Sequence, residues 1–102
     1  MTYYLYILYS TSADLYYVGT TNDPERRLIE HNSSPLKSFT SKYRPLQLVA
    51  VFEAGSSRGE AEQIEKFIKK QKSRKFILRL IQEDFVPNGK LSQLVRVPKL
   101  RD

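Results

Sequence analysis

The stretch that most constrains this chain is its opening, residues 3–19, which holds six of the seven tyrosines. Two β-favouring runs, 3–9 and 15–20, flank the polar segment 10–14, the pattern of an antiparallel hairpin. Side chains alternate across a strand. Tyr4, Tyr6 and Leu8 therefore share one face of the first strand, and Leu15, Tyr17 and Gly19 share one face of the second. This alternation predicts Tyr6 and Tyr17 as cross-strand or diagonal neighbours with their hydroxyls on one surface. Gly19 has no side chain, so a backbone or a ligand can come close at the end of the second strand. Tyrosine also packs well as plain sheet structure, so the segment after the hairpin decides whether these residues carry chemistry.

That segment is Asn22-Asp23-Pro24-Glu25-Arg26-Arg27-Leu28-Ile29-Glu30-His31-Asn32. Asp23 suits an N-cap, Pro24 the first helical position and Glu25 the positive end of the helix dipole. The run Ser33-Ser34-Pro35 closes the helix after two to three turns. Arg27 and His31 are four residues apart and share a face. Residues 36–45 read as a polar loop whose Lys37, Lys42 and Arg44 would lie over a phosphate backbone. Residues 46–53 (LQLVAVFE) read as a third, central strand.

Gly55-Ser56-Ser57 breaks that strand, and Ser57 with Glu60 forms an S-x-x-E capping box, so a second helix runs from here to about Lys70. Ala61, Ile64 and Ile68 make its apolar stripe, and Glu65 falls at the edge of that stripe. A carboxylate on a core-facing arc is costly to desolvate unless something positive meets it. An arginine, a lysine or a metal ion would serve, and the ordinary solution is an ion pair with Lys69 at i+4. The basic turn 69–75 precedes a third helix, about 73–84, that buries Phe76, Ile77, Leu80 and Ile81. The elements describe an α/β chain of the α+β type, with a three-stranded antiparallel sheet flanked by about three helices. Residues 1–86 form the domain, and 87–102 a basic, loosely docked C-terminal tail.

At 102 residues the chain supports one modest core. It has no cysteine, which excludes disulfides and thiolate metal sites. No segment nears the roughly 18 apolar residues of a membrane span, and no signal peptide opens the chain, so a cytoplasmic location is expected. Lys and Arg number 17 against 11 Asp and Glu, a formal net charge of +6, which points to a polyanionic partner, most often nucleic acid.

Two tyrosines, an arginine, a histidine and a half-buried glutamate are the types that stand out, and in their order the chain resembles the GIY-YIG nuclease family, particularly its small single-domain bacterial members. Tyr4-Leu5-Tyr6 sits where the first triplet belongs and Tyr17-Val18-Gly19 matches the second. Arg27-Leu28-Ile29-Glu30-His31-Asn32 looks like the family's R-L-x-x-H-N helix. Glu60-Ala61, Glu65 and Ile68-Lys69 look like the E-A-x-x-x-E-x-x-I-K helix, and Lys75 with Leu80-Ile81 continues the pattern. The likeness covers roughly residues 2 to 82.

The resemblance implies hydrolysis of DNA phosphodiester bonds with a divalent cation, Mg²⁺ or Mn²⁺. Carried over, it makes Tyr6, Tyr17, Arg27, His31 and Glu65 the catalytic set, with Glu65 the metal ligand. One carboxylate suits Mg²⁺, which keeps waters and completes its shell on phosphate. Arg27 suits phosphate oxygens. A tyrosine hydroxyl with a pKa near 10 is a poor base at neutral pH, so the metal or Arg27 would have to lower it. Lys37, Lys42, Lys69, Lys70, Lys72 and Arg74 are expected to border the path of DNA, or of RNA. Recognition of structure rather than sequence is expected, because no separate reading module accompanies so small a domain. Three departures from the family pattern stand out. Tyr4 replaces the first glycine, Thr20 stands where some relatives carry lysine, and no asparagine occurs between Asn32 and Asn88. The alternative is a non-catalytic nucleic-acid-binding module that keeps the fold, although binding alone would not require Glu65.

Overall fold

The chain alternates local signals that the backbone obeys closely. In the computed structural model, which describes residues 1–35 and 41–98, the hairpin comprises β1 (Tyr4–Ser10) and β2 (Leu15–Thr21). Helix α1 (Pro24–Ser33) comes next, then a 3₁₀ turn at Ser41–Tyr43, β3 (Leu46–Glu53), α2 (Arg58–Lys70) and α3 (Arg74–Ile81). Each helix begins at the residue whose side chain can cap it. The side chains of Asp23, Ser57 and Ser73 accept hydrogen bonds from the backbone N–H groups of Arg26, Glu60 and Phe76 at 3.1, 3.2 and 3.1 Å.

The sheet is antiparallel with strand order β2-β1-β3-β4, so it has four strands rather than the expected three. The additional strand, β4 (Val95–Arg96), comes from the segment read as a loosely docked tail, and it pairs with Phe52 and Glu53 of β3. A two-residue strand carries no periodicity of its own, which is why the sequence hides it. The same segment buries Leu91 and Leu94 in the main core, both 4 % exposed. Arg96 explains a second difference. Helix α3 stops at Ile81, short of the expected Asp84, and the Arg96 guanidinium donates to the carbonyls of Leu80, Ile81 and Gln82 at 3.2, 2.8 and 3.1 Å. It thereby satisfies carbonyls that a helix end leaves without partners, at the negative end of the dipole.

Both sheet faces are covered. Leu5, Ile7, Val18, Ala50 and Phe52 pack on one face with Ala61, Ile64 and Ile68 of α2 and Leu80 of α3. Tyr6, Leu8, Leu46 and Val51 face the other way, toward Leu28 of α1. β1 is buried on both sides, which accounts for its unbroken run of large side chains. Among the described residues no helix is long and apolar enough to cross a membrane.

Because Leu94 is a core residue, Leu94→Ala should lower the stability of the whole domain by about 2–4 kcal/mol, the usual cost of a buried leucine truncation. Urea unfolding would read this directly. A loss below about 0.5 kcal/mol would mean that the segment lies outside the cooperative unit.

Candidate functional site

The β1–β2 register places Tyr6 opposite Gly19 and Leu8 opposite Tyr17, so Tyr6 and Tyr17 are diagonal neighbours on the α1 face, with ring centroids 6.4 Å apart. The Tyr6 ring lies across Gly19. A Cβ added there would fall 2.6 Å from Tyr6 Cζ and closer still to the hydroxyl, so only glycine admits the ring in this position. The hydroxyl is thereby carried to His31, whose Nε2 lies 3.0 Å away in the buried layer between the sheet and α1. The His31 ring also meets the Tyr17 ring edge-on, at 5.3 Å between centroids. One turn below His31, Arg27 lies near enough to the Tyr6 hydroxyl to act on it electrostatically and is held by Glu30 at 3.0 Å.

Glu65 approaches from the opposite face. Its Oε1 accepts a hydrogen bond from the Thr20 hydroxyl at 3.0 Å, and its Oε2 pairs with Lys69 Nζ at 2.6 Å. The same ammonium stands over the Tyr17 ring, 5.2 Å from the centroid. Groups from both sheet faces therefore meet around β2, the edge strand, and the five residues expected to form the site are brought to one locality. The i+4 ion pair with Lys69 read from the sequence is present. Among the described residues no three His, Cys, Asp or Glu side chains gather as a metal cage. Glu65 alone, with 19 % of its side chain exposed, fits only a hydrated cation that takes its other ligands from water and phosphate.

Burial sets the electrostatics on the α1 face. It pushes the Tyr6 hydroxyl up to about 12, a direction reinforced by Tyr17, while Arg27 acts to lower it and is outweighed. Of the two groups expected to lower a motif tyrosine, the metal or Arg27, Arg27 is outweighed at Tyr6 by desolvation, because Tyr6 is only 2 % exposed. Burial likewise brings His31 down to about 4, helped by the nearby Arg27 and Arg44 cations and opposed by Glu30. At neutral pH the imidazole is uncharged and the tyrosine protonated. Tyr6 can then donate to the unprotonated nitrogen of the His31 ring.

The family model for the GIY-YIG catalytic domain matches residues 2–77. The chain belongs to the GIY-YIG family. A UPF0213 protein from Bacillus halodurans, whose structure was determined in solution by NMR, is similar at 27 % identity and a TM-score of 0.50. That likeness covers 85 % of this chain and 89 % of the other. No curated protein matches the chain.

Within this GIY-YIG domain the expected nucleic-acid contacts separate. Lys37 lies outside the described residues. Lys42 sits on the 3₁₀ turn, 5.4 Å from the ring centroid of Tyr43. Lys70 and Lys72 are exposed, and Lys69, Lys72 and Arg74 line a groove along β2 with Tyr16 and Tyr17. Arg74 is committed internally. It donates to the Asp14 carboxylate and carbonyl, both at 2.7 Å, and stacks on Tyr16, so it clamps the hairpin to α3. Arg44, read as a phosphate contact, instead donates to the His31 and Ser34 carbonyls at 2.6 and 2.9 Å and closes the end of α1.

The sequence marks Asn32 as the end of the R-L-x-x-H-N motif and of the helix, but not as a tie to β3. Its amide accepts from Leu46 N at 2.7 Å and donates to Leu46 O at 3.0 Å, fixing α1 and hence His31 against β3. A polar residue directly after the motif histidine was the available signal.

This packing makes two measurable demands. Gly19→Ala should drive the Tyr6 ring away from His31 and cost about 1–3 kcal/mol by overpacking, measurable by urea unfolding. The second concerns pH. Folded His31 binds its proton near pH 4 and the unfolded chain near 6.5, so between these values the unfolded state holds more protons. Stability must then fall as the pH is lowered through this window. From pH 7 to 5 the loss assignable to His31 should be about 2 kcal/mol at most. His31→Gln should flatten that slope, and an unchanged slope would remove His31 as its cause.

Proposed function

We propose that the protein is a divalent-metal-dependent endonuclease that hydrolyses DNA phosphodiester bonds and selects its substrate by structure rather than by sequence. The observation that carries this reading is the gathering of Tyr6, Tyr17, Arg27, His31 and Glu65 around β2, with Gly19 opening the space between strand and tyrosine. A packing role alone would not need a buried tyrosine hydroxyl on a neutral histidine beside an arginine and a carboxylate.

Each residue has a distinct part in the reaction. A water oxygen attacks phosphorus and the bond to the leaving strand breaks. The proton of that water passes to the Tyr6 oxygen as the Tyr6 proton moves to His31 Nε2; His31, a weak base, returns its proton to solvent, and solvent water protonates the leaving oxygen. With the hydroxyl pushed up to about 12, a standing tyrosinate is not accessible near neutral pH, and this relay removes the need for one. Arg27 donates to the phosphate oxygens as charge develops on them. Tyr17, half-buried beside Lys69, orients the water or the phosphate. Glu65 would hold Mg²⁺ or Mn²⁺, which supplies charge neutralisation at the scissile phosphate. The exposed Lys70 and Lys72 suit phosphates, which carry no base identity, and this supports selection by shape.

A nicking assay on plasmid, linear duplex and branched DNA tests the reading. Wild-type protein should cut in Mg²⁺ or Mn²⁺, preferring branched substrates, and stop in chelator. Glu65→Ala should abolish cleavage while DNA binding stays equal or strengthens. Tyr6→Phe should cost roughly 10²-fold or more in rate, the low end for lost proton transfer. Binding without cleavage by the wild type under all metal conditions would leave the alternative, a binding module that keeps the nuclease fold.

A further inference from the structure

The Glu65–Lys69 ion pair has two features that a plain surface salt bridge lacks. Its carboxylate is the one assigned to the metal, so the ammonium stands where a cation would be held. Its lysine also borders two grooves at once. One runs along β2 past Tyr16, Tyr17 and Lys72, and the other lies on the outer side of α2, lined by Lys66, Phe67, Lys70 and Lys90. We propose that Lys69 is a two-position residue, the counter-ion of Glu65 in the free protein and a phosphate ligand once DNA is present. This rests on the assignment of the metal to Glu65 under the proposed function.

The physical case is one of balance. Without a positive partner the Glu65 carboxylate, only 19 % exposed, would be poorly solvated, and Lys69 supplies that partner at 2.6 Å. The lysine itself is 45 % exposed, so its hold is that of a surface pair, weak enough to break. Thr20 keeps Oε1 in place by a separate hydrogen bond, so the carboxylate stays aimed when the ammonium leaves. Departure brings Lys69 to either groove, where other lysines already favour an anion. Phosphate arrival thus frees Glu65 for a cation, and cation arrival frees Lys69 for phosphate. By linkage, metal and DNA must then strengthen each other's binding.

Lys69 is on this basis a positioning residue, and metal binding without DNA tests it. Mn²⁺ affinity would be measured by electron paramagnetic resonance on the full chain for wild type, Lys69→Met, Lys69→Arg and Lys66→Met. Lys66 is the neighbouring control. It is exposed, adjacent to Glu65 in sequence, and in no ion pair among the described residues. Lys69→Met should bind Mn²⁺ about three- to tenfold tighter, the scale of an exposed ion pair removed as a competitor. Lys69→Arg should stay near wild type, and Lys66→Met within about twofold. Equal tightening by Lys66→Met, or none by Lys69→Met, overturns the proposal.

Glu65→Ala separates the two levels. If it leaves Mn²⁺ binding unchanged, the metal assignment itself fails. If it abolishes binding while Lys69→Met has no effect, only the two-position role fails. A second readout uses duplex DNA binding in chelator. Glu65→Ala should strengthen binding more when Lys69 is present than in the Lys69→Met background, because only then is an ammonium released to phosphate. Strict additivity of the two substitutions would overturn the proposal.

Discussion

The contact on which the rest of the structure depends is the buried hydrogen bond between the Tyr6 hydroxyl and His31. A buried polar group without a partner costs about 1–3 kcal/mol, so a tyrosine on a fully covered strand needs an answer for its hydroxyl. His31 answers it, 25 residues later in the chain. Neither residue could be placed without the other and without Gly19, whose missing side chain is the space that the ring occupies. One glycine, one tyrosine and one histidine therefore fix the position of α1 on the sheet, and Asn32 locks the same helix to the start of β3. Among the described residues every buried side-chain nitrogen and oxygen has a partner, so this layer tolerates little adjustment.

Position in the sheet then explains why the site lies where it does. Side chains on opposite faces of a central strand cannot meet, but at an edge strand they can reach around it. β2 is such an edge. Tyr6, Tyr17, Arg27 and His31 come to it from the α1 face, and Glu65 from α2 on the other, touching β2 through Thr20. An exposed edge is normally a hazard for unwanted pairing. Here Lys69 and Arg74 lie along it over Tyr17 and Tyr16, and their charge discourages a second strand from pairing there.

Much of this was legible in the sequence because it is decided within a few residues. The hairpin faces come from strand alternation. The helix starts are set by Asp23, Ser57 and Ser73, and the partner of Glu65 by i+4 spacing. The features that were not legible depend on contacts made far along the chain. β4 is two residues long and exists because Phe52 and Glu53 offer it an edge. The end of α3 is set by Arg96, which lies 14 to 16 residues away. The upward shift of the Tyr6 hydroxyl was not legible for the same reason. Arg27 could be read from the motif, whereas the burial that outweighs it is created only when α1 closes over the sheet.

The net charge of +6 must be weighed against these contacts. Three arginines that contribute to it are structural fixtures. Arg44 closes α1, Arg96 closes α3, and Arg74 ties the hairpin loop to the start of α3. Guanidinium groups suit this work because their fixed fork serves two or three oxygens at once. Several of the lysines have a different distribution. Lys66, Lys69, Lys70 and Lys90 border one groove beside α2, and Lys69 and Lys72 border the next. These three arginines thus hold helix ends in place, while these lysines, mobile point charges on flexible stems, line exposed grooves that suit a polyanion. Basicity in a chain of this kind is two signals laid over each other. The part that supports the proposed nucleic-acid partner is chiefly the lysine part, concentrated on the α2 side of the edge strand near Glu65 and Thr20.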